Sequence, residues 1–143
     1  MHTVHAPAPS TAYAPGAQGN TLPIRSFNPG STLNVQSMQL SGNTITLSAP
    51  GAGLLMYLNT ASAATPPAAT IPSSANLPIS YPGGVYLDKS VPQPVLYVVD
   101  FGAGAVYVAQ TAGTAPNLSV TSVVTIKGAL TGLTQPLGIT VRH

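Results

Sequence analysis

"VLYVVDFGAGAVYVAQ", residues 95–110, decides the fold. Two runs rich in β-branched and aromatic residues, 95–100 and 105–110, suit a pleated surface, and a loop containing Gly102 and Gly104 joins them. The pattern predicts an antiparallel hairpin, with the glycines serving a turn that needs positive φ. The same stretch is a poor nucleotide loop: "GAGAVY" lacks the third glycine of the fingerprint, and it joins two strands instead of opening a helix. With Leu96 and Val98 beside Val106 and Val108, one face of the hairpin is apolar; Tyr97, Val99 and Phe101 with Tyr107 make the other. A sheet apolar on both faces needs cover on both sides. One cover is a second sheet, and the other is the chain's own loop or arm, or another subunit.

The flanking sequence repeats the texture. "STLNVQSMQL" (31–40) and "TITLSAP" (44–50) flank the hairpin signal "SGN" (41–43), and "GLLMYLN" (53–59) follows. "GGVYLDKS" (83–90), "NLSVTSVVTIKG" (117–128) and "PLGITVRH" (136–143) complete about eight strand candidates. No window of about 12 residues has a helical period. Pro66, Pro67, Pro72 and Pro78 argue against a helix or a central strand within "ASAATPPAATIPSSANLP" (61–78), which reads as a loop crossing between sheets. The prediction is an all-β, two-sheet antiparallel sandwich over residues 31–143, with a jelly roll as the leading version and an immunoglobulin-like sandwich as the alternative.

Residues 1–30 form an extended N-terminal arm rich in Pro and Ala. Pro7, Pro9, Pro15, Pro23 and Pro29 remove amide donors and favour extended backbone. With neither a core nor a helix of its own, the arm is expected to be held by a neighbour, and Arg25, the first charged side chain, to pin its base there.

Composition narrows the function. Charged residues are 4% of the chain, namely Arg25, Asp88, Lys89, Asp100, Lys127 and Arg142, where soluble domains average about 25%. Polarity comes instead from 42 Ser, Thr, Asn and Gln residues. Such a surface lacks the charge that blunts strand edges, and partners are expected to cover it. Four scattered cations make no phosphate-binding cluster, so no nucleic-acid partner is expected. The longest apolar runs, "LLMYL" (54–58) and "VLYVV" (95–99), fall far short of the roughly 20 residues that span a bilayer, so no membrane partner is expected. "HTVHAPAPS" after Met1 has no secretory pattern. Without cysteine there are no disulfides or thiolate metal sites.

Catalytic, cofactor and metal sites are all expected to be absent. His2, His5 and His143 sit at the chain ends, no "GxSxG" or "GK[ST]" occurs, and Asp88 with adjacent Lys89 reads as a surface ion pair. The candidate contact residues are Tyr13 and Arg25 on the arm, with Tyr97, Phe101 and Tyr107 on the outward face of the hairpin.

A small cysteine-free all-β domain, poor in charge, behind an arm such as "MHTVHAPAPSTAYAPGAQGN" resembles the head decoration, or cement, proteins of tailed bacteriophages. The resemblance implies a non-enzymatic virion protein on the outer capsid surface, made in the host cytoplasm. It would bridge neighbouring major capsid protein subunits as a homo-dimer or homo-trimer. The alternative is a tail-fibre or adhesin-like recognition module, binding through sandwich loops such as the one around Pro66–Pro78.

Overall fold

The computed structural model describes residues 10–29, 33–62 and 65–142. In chain order its strands are β1 (Ser10–Ala12), β2 (Arg25–Phe27), β3 (Ser37–Ser41), β4 (Thr44–Ala49), β5 (Gly53–Leu58), β6 (Ala69–Ile71), β7 (Pro82–Asp88), β8 (Val95–Asp100), β9 (Ala105–Thr114) and β10 (Asn117–Lys127). A single 3-10 turn, Ala129–Thr131, follows. The sheets are β3-β4-β5-β6, β10-β9-β8-β7 and the small ribbon β1-β2, all antiparallel.

The two four-stranded sheets face each other as a sandwich, as the strand spacing predicts. Eight strands in two sheets is the jelly-roll number, but the connections here are simpler. Each sheet is a meander of consecutive strands, whereas a jelly roll interleaves its strands through two Greek keys. Within the 61–78 stretch, residues 65–78 lie in the crossing between sheets and also contribute β6, whose three residues pair with β5 at the sheet edge and stop at Pro72. Residues 136–142, the described part of "PLGITVRH", do not become a strand; they cover the second sheet instead.

Alternation builds the core. In β5, Leu54 and Met56 point between the sheets, where they meet Leu87, Leu96, Val98 and Leu118, while Leu55 and Tyr57 point outward. The central hairpin pairs differently from the sequence expectation. Asp100 faces Ala105 across the turn, so Tyr97 lies opposite Val108 and Val98 opposite Tyr107. Tyr107 therefore joins Leu96 and Val98 inside, and Val106 and Val108 join Tyr97 and Val99 outside. One residue of register exchanges the two faces. Gly104 in the turn takes φ +58, whereas Gly102 is needed for space: a Cβ there would lie 2.5 Å from Ser80 Oγ.

Both sheets are apolar on their outer faces too, and the chain's own ends cover them. On the first sheet, Phe27 packs with Leu47, Leu55, Tyr57 and Ala61, and Leu33 and Val35 adjoin the cluster. The Phe27 and Tyr57 rings meet edge to face at 4.6 Å. The arm thus has an anchor within its own chain, which differs from the expectation that only a neighbour could hold it. On the second sheet, the C-terminal segment crosses against β7, so closely that a Cβ on Gly84 would lie 3.0 Å from the Leu137 carbonyl oxygen. Val99, paired with Gly84, is buried beneath it.

One seam between the sheets is polar. Gln39 of β3 donates to the Leu87 carbonyl and accepts from the Leu87 N–H, and Ser48 of β4 donates to the Pro82 carbonyl at 3.1 Å. These bonds satisfy backbone groups on the β7 edge that no strand pairs. Thr46, on the same inner face, is fully buried, and its Oγ1 is the buried side-chain polar atom among the described residues left without a partner. Burying an unbonded hydroxyl costs about 1–3 kcal/mol. Thr46→Val, which keeps the shape and removes the hydroxyl, is expected to raise unfolding free energy by about 1 kcal/mol, read as a higher denaturant midpoint at unchanged slope.

Candidate functional site

The most exposed apolar side chains of the N-terminal part lie on the β1-β2 ribbon and the loop it carries. Ser10 pairs with Phe27 and Ala12 with Arg25, and the Ile24 N–H adds a bond to the Ala12 carbonyl at 2.9 Å. Residues 13–24 form the loop, pinched by the Ala17 N–H on the Ala14 carbonyl. Proline in "APG" and "LPI" keeps this stretch out of regular pairing. Leu22 is 86% exposed and Ile24 69%, with Tyr13 half exposed beside them. Phe27 holds the base of the ribbon against the first sheet, so the ribbon is fixed at one end and open at the other.

Where the ribbon meets the sheet there is an apolar groove of about 230 Å³, lined by Thr11, Ala12, Phe27, Met38, Leu40 and Ile45 among others. Met38 and Leu40 of β3 point outward and are more than half exposed. Leu22, Ile24, Met38 and Leu40 were not candidates from sequence alone. Their signal was present, as large aliphatics in segments nearly without charge, but arm and strand texture do not say which aliphatic stays uncovered.

The five residues chosen from sequence do not form one site. Tyr13 sits on the exposed arm loop, and Arg25 lies in β2, its backbone paired with Ala12. Tyr97 is half-buried on the outer face of the second sheet, its ring 6.2 Å from Tyr86. Phe101 is half-buried at the β8-β9 turn, 5.8 Å from the Tyr81 ring. Tyr107 lies inside the sandwich, where its hydroxyl donates to the Pro78 carbonyl at 3.1 Å. It offers no surface to a partner, because the hairpin register turns it inward.

The two acids have separate local roles. Asp100 is fully buried: Oδ2 accepts from the Ser80 N–H at 2.6 Å, and Oδ1 from the Ser80 hydroxyl, the Tyr81 N–H and the Ala103 N–H at 2.9, 2.9 and 3.1 Å. Burial alone would raise its pKa; the bonds from Ser80, Tyr81 and Ala103 outweigh burial and hold the carboxyl below the ordinary range. Burial, and then the Asp100 charge, push the Tyr107 phenol up. Asp88 accepts from the Ser90 N–H at 2.8 Å, and Lys89 donates to the Ser41 carbonyl at 3.2 Å on the β3-β4 hairpin. Asp88 faces Val95 and Asp100 faces Pro82, at opposite ends of one ladder. That separation is on the order of 20 Å at about 3.4 Å per residue, beyond the roughly 5–10 Å of a glycosidase pair. His2, His5 and His143 lie outside the described residues.

Comparison with protein-family models, with curated proteins and with solved structures finds no match for this chain.

Asp100 ties the 80–81 segment to the β8-β9 turn as a carboxylate. Because its folded pKa is depressed, this stabilisation is complete above the unfolded value near 3.8 and is lost as pH falls through the folded value. Asp100→Asn should therefore lose about 2 kcal/mol at pH 7 and show a flatter decline of stability below about pH 4. Denaturant titrations of both proteins across that range check the sign.

Proposed function

We propose that this chain is a non-enzymatic assembly protein that stabilises a larger shell, and that it acts as a capsid decoration protein of the bacteriophage kind, bridging neighbouring capsid subunits. The observation that carries the reading is the β1-β2 ribbon: a hairpin with Arg25 as its one charged residue, anchored by Phe27, that holds Leu22 and Ile24 in solvent. A free soluble domain gains nothing from such a projection. A bridging protein gains a preformed hook whose backbone is already partly ordered before contact, which lowers the entropy cost of docking.

The surrounding surface supports the same reading. Met38 and Leu40 lie on the sheet from which the ribbon rises, and the described residues lining the groove between them are uncharged. Contacts of this kind depend on apolar area and backbone hydrogen bonds, and respond little to salt. Repeated over many copies, individually modest contacts resist dissociation because many must break together.

Pelleting with empty capsids from the same source tests the function. Leu22→Ser/Ile24→Ser changes only exposed side chains, so the fold should be kept, with a melting temperature within about 2 °C of the parent. Capsid binding should fall at least tenfold, which corresponds to about 1.4 kcal/mol. Full binding by the double variant, with loss on substitution of exposed Ser73–Asn76, would move the function to loop-based recognition. Absence of binding by the parent chain would refute the capsid partner itself.

A further inference from the structure

Among the described residues β10 is the longest strand and ends its sheet, with β9 on one side and no strand on the other. Natural edges are normally blunted by charge, proline, brevity or cover. The other edges are shorter or tied: β7 begins at Pro82 and is bonded by Gln39, β6 has three residues, and β3 has five and is joined to β7 through the same Gln39. From Asn117 to Ile126, β10 carries no charge and no proline; Lys127 closes it. A bulge at Thr121, whose hydroxyl donates to the Gln110 carbonyl at 3.2 Å, separates a first half that reaches the core through Leu118 from a second half, 122–127, that is largely exposed.

The side chains on that second half show what is missing. Register places Tyr86, Tyr97, Val108 and Val124 in one row across the outer face, one residue from each strand. The first three are half-buried, and Val124, at the edge, is 64% exposed. The row stops where a fifth strand would continue it.

We propose that β10 pairs antiparallel with β10 of a second copy about a two-fold axis at Val124, joining two four-stranded sheets into one of eight. In this register Val124 meets Val124 of the second copy, Ser122 meets Ile126, and Val123 meets Thr125. Outward residues face outward residues, as pleating requires. The apolar row then runs unbroken from Tyr97 and Val108 of one copy to those of the other. Charge permits the pairing, because each Lys127 lies opposite Thr121 and the two lysines stand at opposite ends of the seam. A second copy fits better than a foreign strand because a two-fold pairing uses the same edge of both chains and closes, leaving neither open to further addition. About six backbone hydrogen bonds form, fewer than the roughly ten of a standard interface, so a dimer that dissociates in the micromolar range is expected.

Light scattering on the purified chain tests the pairing without any capsid, so its outcome is separate from that of the bridging function. At about 200 μM the mass should be twice the 14.4 kDa of one chain, and it should fall toward one chain on hundredfold dilution. Val124→Lys should remain monomeric throughout with an unchanged far-ultraviolet spectrum. Val124→Cys, the only thiol in the molecule, should give a disulfide-linked dimer on mild oxidation, since paired positions lie within about 4.5–5.5 Å. Ser119→Cys, outside the seam, should not. A monomer at the high concentration, a trimer, or a dimer that survives Val124→Lys and fails to cross-link through Val124→Cys would overturn the proposal.

Discussion

The constraint on which the structure depends is that both four-stranded sheets carry apolar side chains on their outer as well as their inner faces, the polar β3-β4 stretch of the first sheet's inner face apart. Leu54 and Met56 look inward and Leu55 and Tyr57 outward on one sheet; Leu96 and Val98 look inward and Tyr97 and Val99 outward on the other. A two-sheet sandwich buries only the inner faces, so each outer face must be covered by something else. The chain uses its own ends, Phe27 with Leu33 and Val35 on the first sheet and the segment around Leu137 on the second. Parts of the weakly periodic flanking segments, around Phe27 and around Leu137, thus serve as outer cover for the sheets. That cover also explains Gly84, where the backbone of the tail leaves no room for a side chain.

How well the sequence forecasts the molecule depends on whether a feature is local. The strands from β3 to β5 and from β7 to β10 are legible because β-branched runs and turn residues alternate over short spans. The pairing of Tyr107 was not legible, since both registers give apolar faces and only the turn's length, fixed by Asp100 facing Ala105, selects one. The anchoring role of Phe27 was equally hidden. A single aromatic in a proline-rich segment has no periodic context, and its partner Tyr57 is 30 positions away in the chain. Asp100 illustrates the same limit, because its donors Ser80 and Tyr81 come from the loop before another strand.

The candidate contact surface was partly visible for a related reason. Tyr13 was selectable as an aromatic on an uncharged arm, and it does lie in solvent. Leu22 and Ile24 carry more exposed apolar area, yet aliphatics in a sequence usually mean core, and exposure is decided by tertiary cover that no local pattern records. Low charge was the more reliable guide, because it does not depend on register. With so few repelling groups, whatever apolar surface the fold leaves open is free to associate.

The two open features lie on different sheets, which sets how they combine. The ribbon rises from the outer face of the first sheet, where Phe27 packs, while β10 is the free edge of the second. Pairing through β10 thus leaves both ribbons uncovered and presents two hooks where a single chain presents one. Linked sites act at a local concentration set by their spacing, so a second hook that reaches a neighbouring subunit binds far more readily than the first. The gain is largest when the spacing matches the span between sites, and a continuous sheet with a ring-anchored ribbon fixes that spacing. A chain with so few charges has little electrostatic steering to draw on, and firm association of such a surface depends on contacts that are multiplied and correctly spaced.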